Sequence, residues 1–426
     1  MKLNTYVLLQ YVIHILRYFL YPISRVIIIF VPKLRLRRDF ERRNNELPSF
    51  KDISRQADAC FHVSSEGELE QCMVLVQDLL ENSKLVEIVF TSDSVERRCL
   101  RLNEQFENLR VYRLALLNFP FFKFSDWVTA KKLYMCRYDF FSELMLYGAR
   151  RDVEFYLLSG SLKNKEEKSG HLSFSKFSLY DFIYAASTKD VALFNKLGIK
   201  NVVEFEFRIL QISKRLDLAN STLESRSQLD NYISLLKNRD PSTCLILGSA
   251  WPNEMEVFKN EKFIKSIINS EIFVSVAPHG LSDEFINSII ESIHKFAPNL
   301  PYQILKKGEE IIPGRVIINP VPGVLLESFS LFSHCFIGGG HGRSIHSVLE
   351  PYLAGAMIYC GPRTHRSTEY DFINDLGSEN IRLVQELPSL FDKLGEYDRK
   401  KELTKRAKII DNHRKKYKEL LDKLIC

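Results

Sequence analysis

Apolar, β-prone runs alternate with helical patterns along most of the chain, and nothing constrains the fold more. ACFHV (59–63), LVEIVFT (85–91), VEFYLLSG (153–160) and DFIYAAS (181–187) are separated by patterns such as GELEQCMVLVQDLLENS (67–83). After Ile209 the chain turns polar. Alternation then resumes with CLILGSA (244–250), EIFVSVAP (271–278), RVIINPV (315–321), HCFIGGG (334–340) and AMIYCGP (356–362). Strands alternating with helices pair in parallel and are covered on both faces. The interruption predicts an α/β protein of two tandem Rossmann-like domains with an interdomain cleft, ligands lying beyond the carboxyl ends of the strands. At 426 residues, 45% hydrophobic, the chain can bury two cores. The expected boundaries are 1–45 for an N-terminal anchor and basic segment, 46–215 and 242–395 for the two domains, 216–241 for a connector, and 396–426 for a basic C-terminal helix.

The N-terminal stretch TYVLLQYVIHILRYFLYPISRVIIIFVP (5–32) is apolar. At about 100° per residue, Gln10, His14, Arg17, Tyr21, Ser24 and Arg25 share one arc. This predicts an amphipathic helix lying in a membrane interface, kinked at Pro22; the alternative is a tilted span with Arg17 and Arg25 facing protein. KLRLRRDFERR (33–43), with six basic and two acidic residues, is expected to rest on anionic headgroups. The last 28 residues carry eleven basic and four acidic side chains, a pattern for a solvated helix face or an anionic partner. With an apolar helix and no recognition motif, nucleic acid is not an expected partner. The eight cysteines form no CxxC pair and read as small buried residues in a reducing compartment.

In FIGGGHGRSIHSVLEP (336–351) three glycines end an apolar run. Backbone N–H groups of Gly338, Gly339 and Gly340, with the N-terminus of a following helix, would suit a phosphate. Tight turning alone is the plainer explanation. The stretch is neither a Walker loop nor GxGxxG, and His341 and His346 lack a third metal ligand. Glu350, four residues after His346, could orient a polar ligand with it or simply pair with it.

These residues resemble the signature of the Kdo transferases, the 3-deoxy-D-manno-octulosonic acid transferases of lipopolysaccharide assembly. Gly338 and Gly339 match its first glycines, Arg343 its spacer arginine, His346 its histidine, Glu350-Pro351 its Glu-Pro and Gly361-Pro362 its trailing Gly-Pro. Upstream, FHVSSEGE resembles His-x-x-Ser-x-Gly-Glu at His62, Ser65, Gly67 and Glu68. FSELM (141–145) keeps the second acid of Glu-Thr-Glu, Glu143; Arg208 stands for a lysine; LGSAWPNE (247–254) supplies Ser249 and Glu254. The resemblance spans about 45–365. The chain departs from it at Ser344-Ile345 (for Gly-Gly), Ser347 (for Asn) and Phe141 (for the first acid).

The resemblance implies a GT-B fold behind an N-terminal membrane helix. The implied reaction is inverting transfer of Kdo from CMP-Kdo to a lipid A precursor, at the cytoplasmic face of the inner membrane. Glu68 would be the catalytic base, with His62, Ser65, Gly67 and Glu143 on the acceptor side. Arg208, Ser249, Glu254, Gly338, Gly339, Gly340, Arg343, Ser344, His346, Ser347 and Glu350 would bind the donor. No metal or cofactor is implied, since CMP leaves with one phosphate. The departures leave two alternatives: a transferase for another nucleotide-activated sugar, or a degenerate membrane-bound binding protein. Ile345 puts a β-carbon where backbone would approach the donor: either it crowds the phosphate, or the loop is rebuilt for a ligand of its own.

Overall fold

The computed structural model describes residues 4–47, 55–137, 140–162, 170–365, 367–377, 379 and 381–425. They fall into two units, Met1–Gln211 with Glu419–Cys426, and Ile212–Lys418.

The first unit holds seven strands: β1 Ala59–Val63, β2 Val86–Phe90, β3 Leu109–Arg113, β4 Lys132–Cys136, β5 Glu154–Gly160, β6 Phe182–Ala185 and β7 Val202–Glu204. They pair in parallel in the order β3-β2-β1-β4-β5-β6-β7. Every residue of β1 and β2 is buried, as a strand covered on both faces requires. The order reverses direction between β1 and β4, so their carboxyl ends open a crevice.

The second unit repeats the plan with β8 Cys244–Ala250, β9 Phe273–Pro278, β10 Tyr302–Ile304, β11 Val316–Ile318, β12 His334–Ile337, β13 Met357–Cys360 and β14 Ile381–Leu383. The order is β10-β11-β9-β8-β12-β13-β14, all parallel, and the switch point lies between β8 and β12.

The N-terminal helix α1 (Thr5–Phe30) continues through Pro22 and is long and apolar enough to cross a membrane. Gln10 and Arg17 of its polar arc face the protein and not headgroups, while Arg25, which the spanning alternative also turns inward, is exposed. Gln10 is buried and its Oε1 accepts from Ser142 Oγ at 2.5 Å. Arg17 donates to Glu143 Oε1 at 2.5 Å and to the Leu116 carbonyl at 2.7 Å. Leu8, Leu9, Val12, Ile15, Leu16, Phe19, Leu20 and Ile23 stay exposed. A face this apolar left in water marks a membrane or protein contact.

The basic segment is also corrected. In helix α2 (Pro32–Arg42) Phe40 and Glu41 are buried, and Glu41 accepts backbone N–H groups from Leu116, Leu117 and Asn118 at 2.7–3.1 Å. Arg37 donates to the Thr91 carbonyl and, at 2.5 Å, to that of Leu114; Arg43 pairs with Glu96 at 2.5 Å. These cations hold the fold, so only the remainder can meet headgroups. Deleting residues 1–30 should therefore abolish pelleting with membranes. Deletion through residue 43 should lower stability by a further ~1–3 kcal/mol or more, because it orphans the amides that Glu41 holds. Sedimentation and thermal melting of both truncations check this.

In the C-terminal helix α6 (Arg399–Ile425) two cations likewise turn inward. Arg399 donates to the carbonyls of Ser330 and Ala354 at 2.6 and 2.8 Å. Arg406, 1% exposed, donates to those of Tyr352 and Ala356.

Candidate active site

In the first unit, the chain leaving β1 enters helix α3 (Glu66–Glu81). Ser65 is its N-cap, accepting from the Glu68 N–H at 3.3 Å. Glu68 thus sits in the first turn, and its Oε2 accepts from the Ser64 N–H at 2.6 Å. Gly67 is helical, and a β-carbon there would meet nothing within 4 Å. The carboxylate remains beside the positive end of the helix, at the switch point of the sheet.

His62 and Glu143 are placed differently from expectation. His62 lies within β1 and is fully buried. Phe141 packs on its ring at 4.9 Å, and burial pushes the imidazole down to about 3, leaving it neutral. It cannot touch an acceptor. Phe141 thus covers His62 with a hydrocarbon face where the resemblance would put a carboxylate. Glu143, in helix α4 (Ser142–Arg151), gives its Oε1 to Arg17 of α1. Arg208 follows β7, and its N–H donates to Glu206 Oε1 at 3.1 Å.

In the second unit two of the three glycine N–H groups expected to cradle a phosphate are taken within the fold. The Gly338 N–H donates to the Gly248 carbonyl at 2.9 Å, and the Gly339 N–H to Glu254 Oε1 at 2.7 Å. Gly339 has φ +99°, a left-handed conformation that disfavours any side chain. A β-carbon on Gly340 would lie 2.7 Å from Gly361 Cα, so two loops touch backbone to backbone. That contact explains the paired Gly340 and Gly361. The next helix, α5 (Leu349–Leu353), offers no open N-terminus either, because Glu369 Oε2 accepts the N–H groups of Val348 and Leu349 at 3.0 and 3.2 Å.

Glu254 is 1% exposed, and its other oxygen accepts the Trp251 N–H at 2.9 Å. It clamps the end of β8 to the end of β12 and presents nothing to a donor. Burial pushes its carboxyl up to about 7, against the pull of those two N–H groups. The folded state therefore holds a proton that the unfolded chain releases near 4.5, and stability from this group falls as pH rises from 4.5 through 7. Glu254→Gln should flatten that fall, as melting temperatures across pH 5–8 would show.

Ile345 is buried, 7% exposed, with Cγ2 2.8 Å from where Gly340 would carry a β-carbon. It packs against the glycine loop, and its side chain is turned into the fold. Ile345→Gly should cost about 2–5 kcal/mol of stability and leave CMP binding no tighter, as calorimetry on the variant would read.

What does line the switch point is aromatic. The Trp251 Nε1–H donates to His346 Nε2 at 3.1 Å with the two rings within 7° of parallel. His279 stacks 4.4 Å from both, and the Arg343 guanidinium lies 4.4 Å over Trp251. Burial first, then His279 and Arg343, hold His346 down at about 4. The bond from Trp251 fixes the neutral tautomer with its proton on Nδ1. Ser347 Oγ is buried with no hydrogen-bond partner among the described residues. Ser344 and Glu350 are half-buried, and Ser249, next to last in β8, is in a left-handed conformation at φ +51°. Trp251 and His279 were missed, although each follows an apolar strand directly, where ligands are expected.

Residues 35–206 match the sequence model of the family described as 3-deoxy-D-manno-octulosonic-acid transferase (kdotransferase). The chain is similar to the structure of a glycosyltransferase from Rickettsia africae, at 11% identity and a TM-score of 0.54, over 87% of this chain and 99% of that one. It is similar to Alr3699/HepE of Anabaena in complex with UDP, at 9% identity and 0.52, over 86% and 100%. The C-terminal CMP-Kdo binding domain of WaaA from Acinetobacter baumannii matches at 18% identity and 0.35, over 48% and 97%. No curated protein matches the chain. The two doubly wound parallel sheets are those of the GT-B fold.

Proposed function

We propose a reaction for this chain, a glycosyltransferase whose residues 35–206 match the kdotransferase family model: it moves Kdo from CMP-Kdo to a lipid A precursor at the cytoplasmic face of an inner membrane. The observation that carries the proposal is Glu68, a carboxylate in the first turn of α3 at the switch point of the family-matched unit. The acceptor hydroxyl is neutral and must lose its proton as its oxygen attacks the anomeric carbon. Glu68 takes that proton; the new C–O bond forms as the bond to the phosphate breaks, and CMP departs with inversion. Charge developing on the departing phosphate is met by Arg343 and by the Nδ1–H of His346, held in place by Trp251. Ser347 Oγ supplies a further donor, and Glu350 accepts from ribose hydroxyls. The exposed apolar face of α1 supports attachment to the membrane that holds the acceptor.

The proposal is tested by incubating the full-length protein in detergent with fresh CMP-Kdo and a lipid A precursor, and following CMP and glycolipid. CMP released in step with a Kdo-bearing lipid supports it. CMP released at the same rate without acceptor, or none released, contradicts it.

A further inference from the structure

We propose that the cavity between α1, α4 and the loop after β3 binds the phosphoethanolamine headgroup of a bilayer phospholipid. The cavity, about 280 Å³, is lined among others by His14, Tyr18, Lys123, Glu143, Arg150 and Arg151. Lys123, Arg150 and Arg151 are exposed, so cations ring its mouth. Glu143, by contrast, is 7% exposed. Its Oε1 is taken by Arg17, while its Oε2 is buried with no hydrogen-bond partner among the described residues; the same holds for His14 Nδ1. A buried carboxylate oxygen without a donor is costly, so the floor of the cavity calls for a donor group while its mouth calls for an anion. A phosphate alone would set one anion against another. A primary ammonium joined to a phosphate meets both demands, its N–H groups on Glu143 Oε2 and its phosphate on the cations.

The neighbouring surface identifies the source as a membrane lipid. Leu16, Phe19, Leu20 and Ile23 of α1 are exposed, and Phe121, on the loop after β3, is 67% exposed with its ring 6.1 Å from that of Tyr21. Tyr18 and Phe119 belong both to the cavity wall and to this aromatic edge, their rings 4.7 Å apart. A headgroup in the cavity would thus have its acyl chains along the apolar face of α1, fixing how deeply the helix sits. Lipid retention needs neither sugar donor nor acceptor, so this inference stands or falls apart from the transfer reaction.

The test is native mass spectrometry of the full-length protein extracted from vesicles of phosphatidylethanolamine, phosphatidylcholine and phosphatidylglycerol with identical acyl chains. The expected result is a single retained phosphatidylethanolamine, favoured at least about tenfold over phosphatidylcholine, whose quaternary ammonium has no N–H to give. Lys123→Ala with Arg151→Ala should lose that retention with an unchanged melting temperature, and Glu143→Gln should erase the preference over phosphatidylcholine. Soluble glycerophosphoethanolamine should displace the lipid, and inorganic phosphate at the same concentration should not. Equal retention of the three lipids, preference for phosphatidylglycerol or for a phosphorylated glycolipid, displacement by phosphate alone, or wild-type retention by the double variant would each overturn the proposal.

Discussion

Replacing Glu68 with glutamine should slow transfer by about 10²–10⁴-fold while CMP binds as it does to the unaltered protein. The substitution is nearly isosteric, and an amide oxygen can still accept the Ser64 N–H that Glu68 Oε2 accepts at 2.6 Å. The Ser65 cap and the first turn of α3 then persist, so the loss isolates proton removal from structure. The residues the proposed reaction sets against CMP, Arg343, His346, Ser347 and Glu350, belong to the other unit, which is why affinity for the nucleotide should not move. Steady-state rates with CMP titration by calorimetry check both halves. A variant with unaltered turnover, or one that loses CMP affinity in place of turnover, would move Glu68 to another role.

Gly338→Ala should remove CMP binding and destabilise the second unit by about 1–3 kcal/mol or more. A β-carbon there would fall 2.3 Å from the Ser249 carbonyl oxygen and 2.5 Å from Glu254 Oε2. Neither can retreat cheaply, because Ser249 belongs to β8 and Glu254 holds the Trp251 and Gly339 amides. The clamp between β8 and β12 must open, and with it the seat of Trp251 and His346. Gly342→Ala, in the same loop with its nearest neighbouring atom 3.9 Å away, is the matched control and should melt as the wild type does. Thermal melts of the two variants side by side separate a specific clash from general sensitivity of the loop.

The fold was legible in the uncharged strands that are buried on both faces. ACFHV and CLILGSA coincide with β1 and β8 residue for residue. Two charge-bearing strands, β3 and β4, were not legible. LRVYR, which forms β3, reads as polar, yet Arg113 is 1% exposed because Glu96 Oε1 stands 2.6 Å from its Nε. Such a partner, seventeen positions away, leaves no periodic trace in the sequence. The short edge strands β10 and β14, of three residues each, lie below the length at which alternation speaks. In the sites, residue types were legible but not their partners. Glycines, Glu254 and Arg343 could be picked out by resemblance; that Glu254 is consumed by two backbone amides depends on tertiary packing alone. The inward polar arc of α1 had the same periodicity as an outward one. Which side faces protein is decided by Glu143, Ser142 and the Leu116 carbonyl, all more than ninety residues away.

The most direct measurement of the central claim is a single-turnover assay of wild type and Glu68→Gln with CMP-Kdo and a lipid A precursor, enzyme in excess and CMP and glycolipid both quantified. Wild type should convert donor to CMP and Kdo-bearing lipid in equal amounts, and Glu68→Gln, saturated with donor, should form both at least about a hundredfold more slowly. Equal single-turnover rates for the two proteins, or CMP formed by either without a glycosylated lipid, would contradict it.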